Sequence, residues 1–171
     1  KVLVNGATGA IGCAAVQICK HYGCQVTAVG NTKNLELIKS LGADKIYNYE
    51  VEDFTKVDKE KYPFIFDAVG KSTFGKCKPL LLPGGVYISS ELGPNAENIY
   101  LAIFGLFKKG KRVIFPFPSN PKTSLEFIKS LIEKGAFQPV IDRHYTMEQV
   151  QEAYTYVMSG QKTGNVIIDY Q

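Results

Sequence analysis

A short apolar strand that runs straight into a glycine-spaced bend and then into a helix constrains this chain more than any other feature. Val2-Leu3-Val4-Asn5 is the strand, Gly6-Ala7-Thr8-Gly9-Ala10-Ile11-Gly12 the bend, and residues 11–22 carry a helical apolar period. By spacing, Ala7, Gly9 and Gly12 fill three slots of a dinucleotide-binding bend: a tight turn, close approach to a pyrophosphate, and close packing of helix on strand. Gly6 adds backbone freedom. A residue without a side chain at Gly9 lets main-chain N–H groups reach a diphosphate, and the helix beyond it contributes roughly half a positive charge at its N-terminus. A glycine bend can also be a turn and nothing more, and folds that bind an adenosyl cofactor place glycines after their first strand too. The ordered arrival of strand, bend, helix and second strand favours a dinucleotide.

Short β-branched runs then alternate with longer helical stretches, the pattern of βαβ units and a parallel sheet. Strands are expected at 2–5, 25–29, 45–47, 64–69, 86–89 and 112–115, with helices at 11–22, 34–41, 73–81, 98–107 and 124–133. Gly23, Gly42 and Gly135 follow apolar periodic runs and mark helix ends. Six strands fit one doubly wound α/β sheet in the order 3-2-1-4-5-6, the Rossmann arrangement. After Gln138-Pro139 the pattern changes to a short strand at 140–142, a helix at 147–158 and a strand at 165–170, a separate unit of 139–171 behind a main domain of 1–138.

Lys and Arg total 20 against 16 Asp and Glu, and the surplus is scattered, so a nucleic-acid surface is excluded as a reading. No apolar run approaches a membrane span, and a cytoplasmic protein is expected. The cysteines, Cys13, Cys19, Cys24 and Cys77, lack paired C-x-x-C spacing, and with only His21 and His144 beside them no metal site is predicted. A chain that opens on Lys1 and enters a strand at once, without an initiator Met or leader, reads as a segment of a longer protein.

The second strand selects the dinucleotide. An NAD-binding unit usually ends that strand in an acid that accepts from the adenosine 2′-hydroxyl. Here Gln25-Val26-Thr27-Ala28-Val29 ends in Gly30, followed by Asn31-Thr32-Lys33, and no carboxylate follows until Glu36. Neutral donors and a cation suit a 2′-phosphate, so NADP(H) is expected ahead of NAD(H). A solvated lysine at a helix start is the plainer alternative for Lys33, and the missing acid tilts the balance away from it.

The run Gly6 to Ile18, Asn31-Thr32-Lys33-Asn34-Leu35-Glu36-Leu37, Ser40-Leu41-Gly42-Ala43-Asp44 and Phe66-Asp67-Ala68-Val69-Gly70 together resemble the quinone oxidoreductase branch of the medium-chain dehydrogenases/reductases. Pro139-Val140-Ile141-Asp142-Arg143 and Gly164-Asn165-Val166-Ile167-Ile168 are similar to that family's C-terminal return segment, so the resemblance spans the whole chain. It implies that Thr8, Gly9, Ala10 and Ile11 line the pyrophosphate, and that Asn31, Thr32, Lys33 and Tyr49 surround the 2′-phosphate. Val69 and Gly70 would lie along the nicotinamide ribose, with Ser90, Leu92 and Phe115 near the nicotinamide. Val69, Leu92 and Phe115 could also simply be core, as apolar residues at strand ends often are.

The resemblance further implies an NADPH-dependent, metal-free parent enzyme that reduces quinones or α,β-unsaturated carbonyls, in which 139–171 completes an N-terminal substrate domain that has no counterpart here. The segment alone should bind cofactor without turnover, and no catalytic acid or base is named. A homodimer paired through a sheet edge at 112–117 is implied as well. The aromatic run Phe104, Phe107, Phe115 and Phe117 would shape a substrate pocket or pack against another domain or subunit. Two other readings stay open: a non-enzymatic module that senses dinucleotide occupancy, and the cofactor domain of a zinc-dependent alcohol dehydrogenase. A short-chain dehydrogenase is not among them, because none of the ten tyrosines is followed four residues later by Lys.

Overall fold

Strands built from unbroken apolar residues persist only where both sheet faces are covered. The first, β1 (Val2–Asn5), is buried at all four positions, and β2 (Val26–Gly30) at all five. The computed structural model describes residues 1–105, 110–116 and 120–170. In it β1 and β2 pair in parallel with each other and with β3 (Lys45–Asn48), β4 (Tyr62–Asp67), β5 (Leu81–Ser89) and β6 (Arg112–Ile114), in the order β3-β2-β1-β4-β5-β6. This is the doubly wound order expected from the alternating pattern.

Successive residues of a strand point to opposite faces, so β1 feeds two cores. Leu3 joins Tyr62, Ile65, Leu81, Tyr87 and Val113 in one, while Val2 and Val4 join Val16, Val26, Ala28 and Ile38 in the other. The helices that cover them are α1 (Ala10–His21), α2 (Leu35–Ser40), α3 (Phe54–Val57), α4 (Phe74–Cys77), α5 (Glu97–Gly105) and α6 (Pro121–Glu133). No helix among the described residues is long and apolar enough to cross a membrane.

Several boundaries differ from expectation. The strand expected at 64–69 starts at Tyr62 and stops at Asp67, whose carboxylate draws the following amides into a turn. The helix expected at 73–81 is a single turn, α4, followed by a 3-10 turn at Lys78–Leu80 that contains Pro79, a residue with no N–H to continue an α-helix. The one-turn α3, capped by the Asp53 side chain on the Thr55 amide, was not anticipated. The expected ends at Phe107 and Phe117 lie outside the described residues.

The final unit forms β7 (Ile141–Thr146), α7 (Val150–Met158) and β8 (Asn165–Asp169), with β7 and β8 parallel. Among the described residues, hydrogen bonds join the main domain to it and to the residue that leads into it. The Gly164 amide donates to the Thr8 carbonyl at 2.8 Å, Gly9 and Gly164 form an isolated parallel bridge, Asn34 and Thr163 exchange side-chain hydrogen bonds, and Gln17 grips both main-chain groups of Gln138.

Candidate functional site

The carboxyl ends of β1, β3, β4 and β5, together with the chain from α7 to β8, enclose a cleft of about 710 Å³. Open α/β sheets bind ligands outside the strand carboxyl ends, where this cleft lies. A second depression, of about 350 Å³, lies by Lys20 and His21 at the opposite end of α1.

The bend after β1 forms one wall. Gly6 has φ +82°, and the amides of Gly6 and Ala7 both donate to the Val29 carbonyl, at 3.2 and 2.9 Å. The positive φ of the tight turn thus belongs to Gly6, one place before the slot assigned to Ala7. Gly9 caps α1 in an extended conformation with no side-chain hydrogen bond, so the first-turn N–H groups keep the unmet donors typical of an uncapped helix start. A β-carbon on Gly9 would meet only the Gly6 carbonyl oxygen, at 3.8 Å, whereas one on Gly12 would lie 2.0 Å from that same oxygen. Gly12 is glycine for packing. Gly9 faces room that a ligand can fill, and these features fit a diphosphate.

A buried acid holds the opposite wall. Asp67 is fully buried and accepts from Asn5 Nδ2 (3.0 Å), the amides of Val69 (3.2 Å), Gly70 (2.9 Å) and Ser72 (3.0 Å), and the Tyr87 hydroxyl (2.9 Å). Burial first, and then the Asp67 carboxylate beside it, push the Tyr87 phenol well above its usual range. Five donors on one carboxylate fix the loop that sets Val69 in the cleft, directly against Gly6.

Of the residues predicted for the site, the cleft brings together Thr8, Gly9, Ala10, Ile11, Tyr49 and Val69. Gly70 (φ +64°) supports the loop behind Val69. Leu92 is exposed outside the lining, Phe115 is half-buried, and the Ser90 hydroxyl is buried without a hydrogen-bond partner. The three residues after β2 also stand outside it. Asn31 Oδ1 accepts from Asn34 Nδ2 at 2.8 Å, and exposed Lys33 lends its charge to Asp142, which burial disfavours but which Tyr156, Thr163 and Lys33 keep below the usual carboxylate range. Thr32 gives its amide (3.0 Å) and its hydroxyl (2.5 Å) to Glu50.

Sequence reasoning missed Glu50 and Asp67. It also missed the lysines Lys71, Lys76 and Lys162, which line the cleft, the last from the return segment. Nothing local distinguishes them from solvated lysines. His21 stacks edge-on against Tyr22 and Phe127, and His144 pairs with Asp169 at 3.0 Å; neither lines the cleft. Burial pushes the Cys13 and Cys77 thiols up to about 11, so both are inert. Among the described residues no group of three or more His, Cys, Asp or Glu side chains could hold a metal.

A family model described as zinc-binding dehydrogenase matches residues 41–168. A chloroplast envelope quinone oxidoreductase homolog of Arabidopsis thaliana is 29% identical over 172 residues, covering 98% of this chain and 52% of that protein. A mitochondrial NAD(P)H oxidoreductase of Bos taurus is 30% identical over 192 residues, covering 99% of this chain and 48% of its own length. The chain therefore spans about half the length of the curated relatives it matches. Among solved structures, the quinone oxidoreductase from Coxiella burnetii superposes with a TM-score of 0.87 at 20% identity, over 99% of this chain and 52% of the other.

Proposed function

Because the chain belongs to the zinc-binding dehydrogenase family, we propose that it is the nicotinamide-dinucleotide-binding portion of an oxidoreductase that reduces quinones or α,β-unsaturated carbonyls, taking NADP(H) ahead of NAD(H). The single observation that carries this reading is the bend at Gly9. A missing side chain, uncapped helix amides and open space coincide there, at the carboxyl edge of a doubly wound sheet. Two relatives named for quinone reduction and for NAD(P)H support the reaction class.

Thr8 to Ile11 would hold the diphosphate through main-chain amides, and Lys71, Lys76 and Lys162 would add cations around it. Val69 would press on the ribose next to the nicotinamide. Tyr49 would lie toward the adenosine, with Asn31, Thr32 and Lys33 beyond it. A nicotinamide held there would supply the hydride, and the chain would supply orientation and a wall that keeps water away. Although the family's description names zinc, the described residues do not fit a zinc site.

Residues 1–138 form the cofactor unit in this proposal, and 139–171 belong with a companion substrate domain, so this segment binds coenzyme without turning over substrate. A homodimer would pair the edge strand β6 and the exposed side chains Ile99, Ile103 and Phe104 of α5. The cytoplasm is the compartment proposed. Calorimetric titration with NADPH and NADH tests the reading. Micromolar binding of either coenzyme is expected, and no heat from either at millimolar concentration overturns it.

A further inference from the structure

The loop after β2 lacks an acid in its own sequence, yet it has one in space. Strands β2 and β3 run in parallel with Gly30 opposite Asn48, so the segments leaving their carboxyl ends travel side by side. Two residues past Asn48, Glu50 turns its Oε2 onto the Thr32 amide at 3.0 Å and the Thr32 hydroxyl at 2.5 Å. Asn48 locks the arrangement: its Nδ2 donates to Thr32 Oγ1 at 2.7 Å, and its Oδ1 accepts from the Glu50 amide at 3.0 Å. Between Asn48 and Glu50 stands Tyr49, a wall of the cleft. Among the described residues no cation pairs with Glu50. The Thr32 hydroxyl and amide hold its carboxyl below the usual range, so it is ionised at neutral pH.

We infer that Glu50 determines which 2′-substituent of the adenosine ribose this chain accepts, acting as a brake on NADP(H). The inference rests on the proposed dinucleotide site. A 2′-hydroxyl can donate to a carboxylate, the role usually taken by an acid at the end of the second strand. A 2′-phosphate carries about −1.5 to −2 charges and needs donors. It would meet a fixed negative charge, on a threonine whose two donors are already engaged. NADP(H) can take those donors only once Glu50 has swung away, so exposed Lys33 favours the phosphate while Glu50 opposes it. The preference for NADP(H) in the native chain is accordingly narrow.

Glu50→Gln isolates the charge, because the amide oxygen can still accept from Thr32. Titration of the native chain and this variant with NADPH and with NADH is the test, with thermal melts to check the fold. The Kd for NADPH should fall at least about tenfold, which corresponds to roughly 1.4 kcal/mol, while that for NADH stays within about threefold or rises. Glu50→Ala should move NADPH in the same direction. If the native chain binds coenzyme and Glu50→Gln leaves the ratio of the two affinities unchanged, the inference is wrong and the proposed site stands. If neither protein binds either coenzyme, the site itself is wrong and the inference falls with it.

Discussion

A β-carbon on Gly12 would lie 2.0 Å from the carbonyl oxygen of Gly6, and the opposing atom is main chain, which cannot rotate away. Gly9, three residues earlier, has no such neighbour: its β-carbon would meet that same oxygen at 3.8 Å, an ordinary contact. The two glycines therefore separate fold from ligand. Gly12→Ala should lower stability by about 3 kcal/mol, because helix α1 must back away from the bend. Gly9→Ala should melt within a few degrees of the native chain yet bind NADPH at least about tenfold more weakly, since its methyl projects where the diphosphate would approach. Thermal melts and calorimetry on the pair check both outcomes. Equal coenzyme affinity for Gly9→Ala and the native chain would remove the diphosphate from this bend.

Asp67 ties β4, β5 and the loop at Val69 together through five donors. Replacing it with Asn puts an N–H₂ group opposite donors that cannot reverse, the amide of Ser72 above all. Asp67→Asn should cost about 3 kcal/mol in urea unfolding, and amide exchange at Gly70 and Ser72 should speed up. An unchanged midpoint would show that the carboxylate is not what holds the loop.

Asp58 predicts an acid limb. Burial works against its ionisation, but the Tyr62 hydroxyl at 2.6 Å, the Glu60 amide and the Lys45 ammonium outweigh it and hold the carboxyl below its ordinary range. A folded value below the unfolded one of about 3.9 means that the stabilisation is complete above that pH and is lost as pH falls through the folded value. Asp58→Asn should flatten the acid side of the stability profile below about pH 5 and lower the plateau at pH 7 by about 2 kcal/mol. A profile with the native slope would assign the acid limb to other carboxylates.

The strand order was legible because parallel strands buried on both faces are written as plain apolar runs, and β1 and β2 contain little else. The bend was legible for a similar reason: its constraint is local, with Gly6, Gly9 and Gly12 inside seven residues. Contacts between strand ends were not. Glu50 reaches Thr32 only because β3 lies beside β2, and a sequence scan for an acid at the end of β2 passes over an acid that tertiary structure delivers from the next strand. Asp67 was hidden in another way, since a carboxylate buried among five donors and one in water are the same letter. The split at Pro79 could have been read from the proline, whereas α3 is a single turn too short to show a period.

Gly164 has φ +64°, and a β-carbon there would lie 2.4 Å from the Val140 carbonyl oxygen. Gly164→Val should pull the last strand off the bend, making the peptide bonds of 159–163 more open to protease and lowering the melting temperature by several degrees. Limited proteolysis of native and variant chains side by side checks this, and identical digestion patterns would mean that the contact with Thr8 does not hold the segment.

That contact also sets a schedule. The carbonyl of Thr8 receives its hydrogen bond from Gly164, far along the chain from it. All six strands of the large sheet come earlier in the chain than Lys162 and Gly164, so they are made before the bend they surround gains this partner. A dinucleotide at the proposed site would meet a complete cleft only once that segment has docked, as a seal on a fold already made.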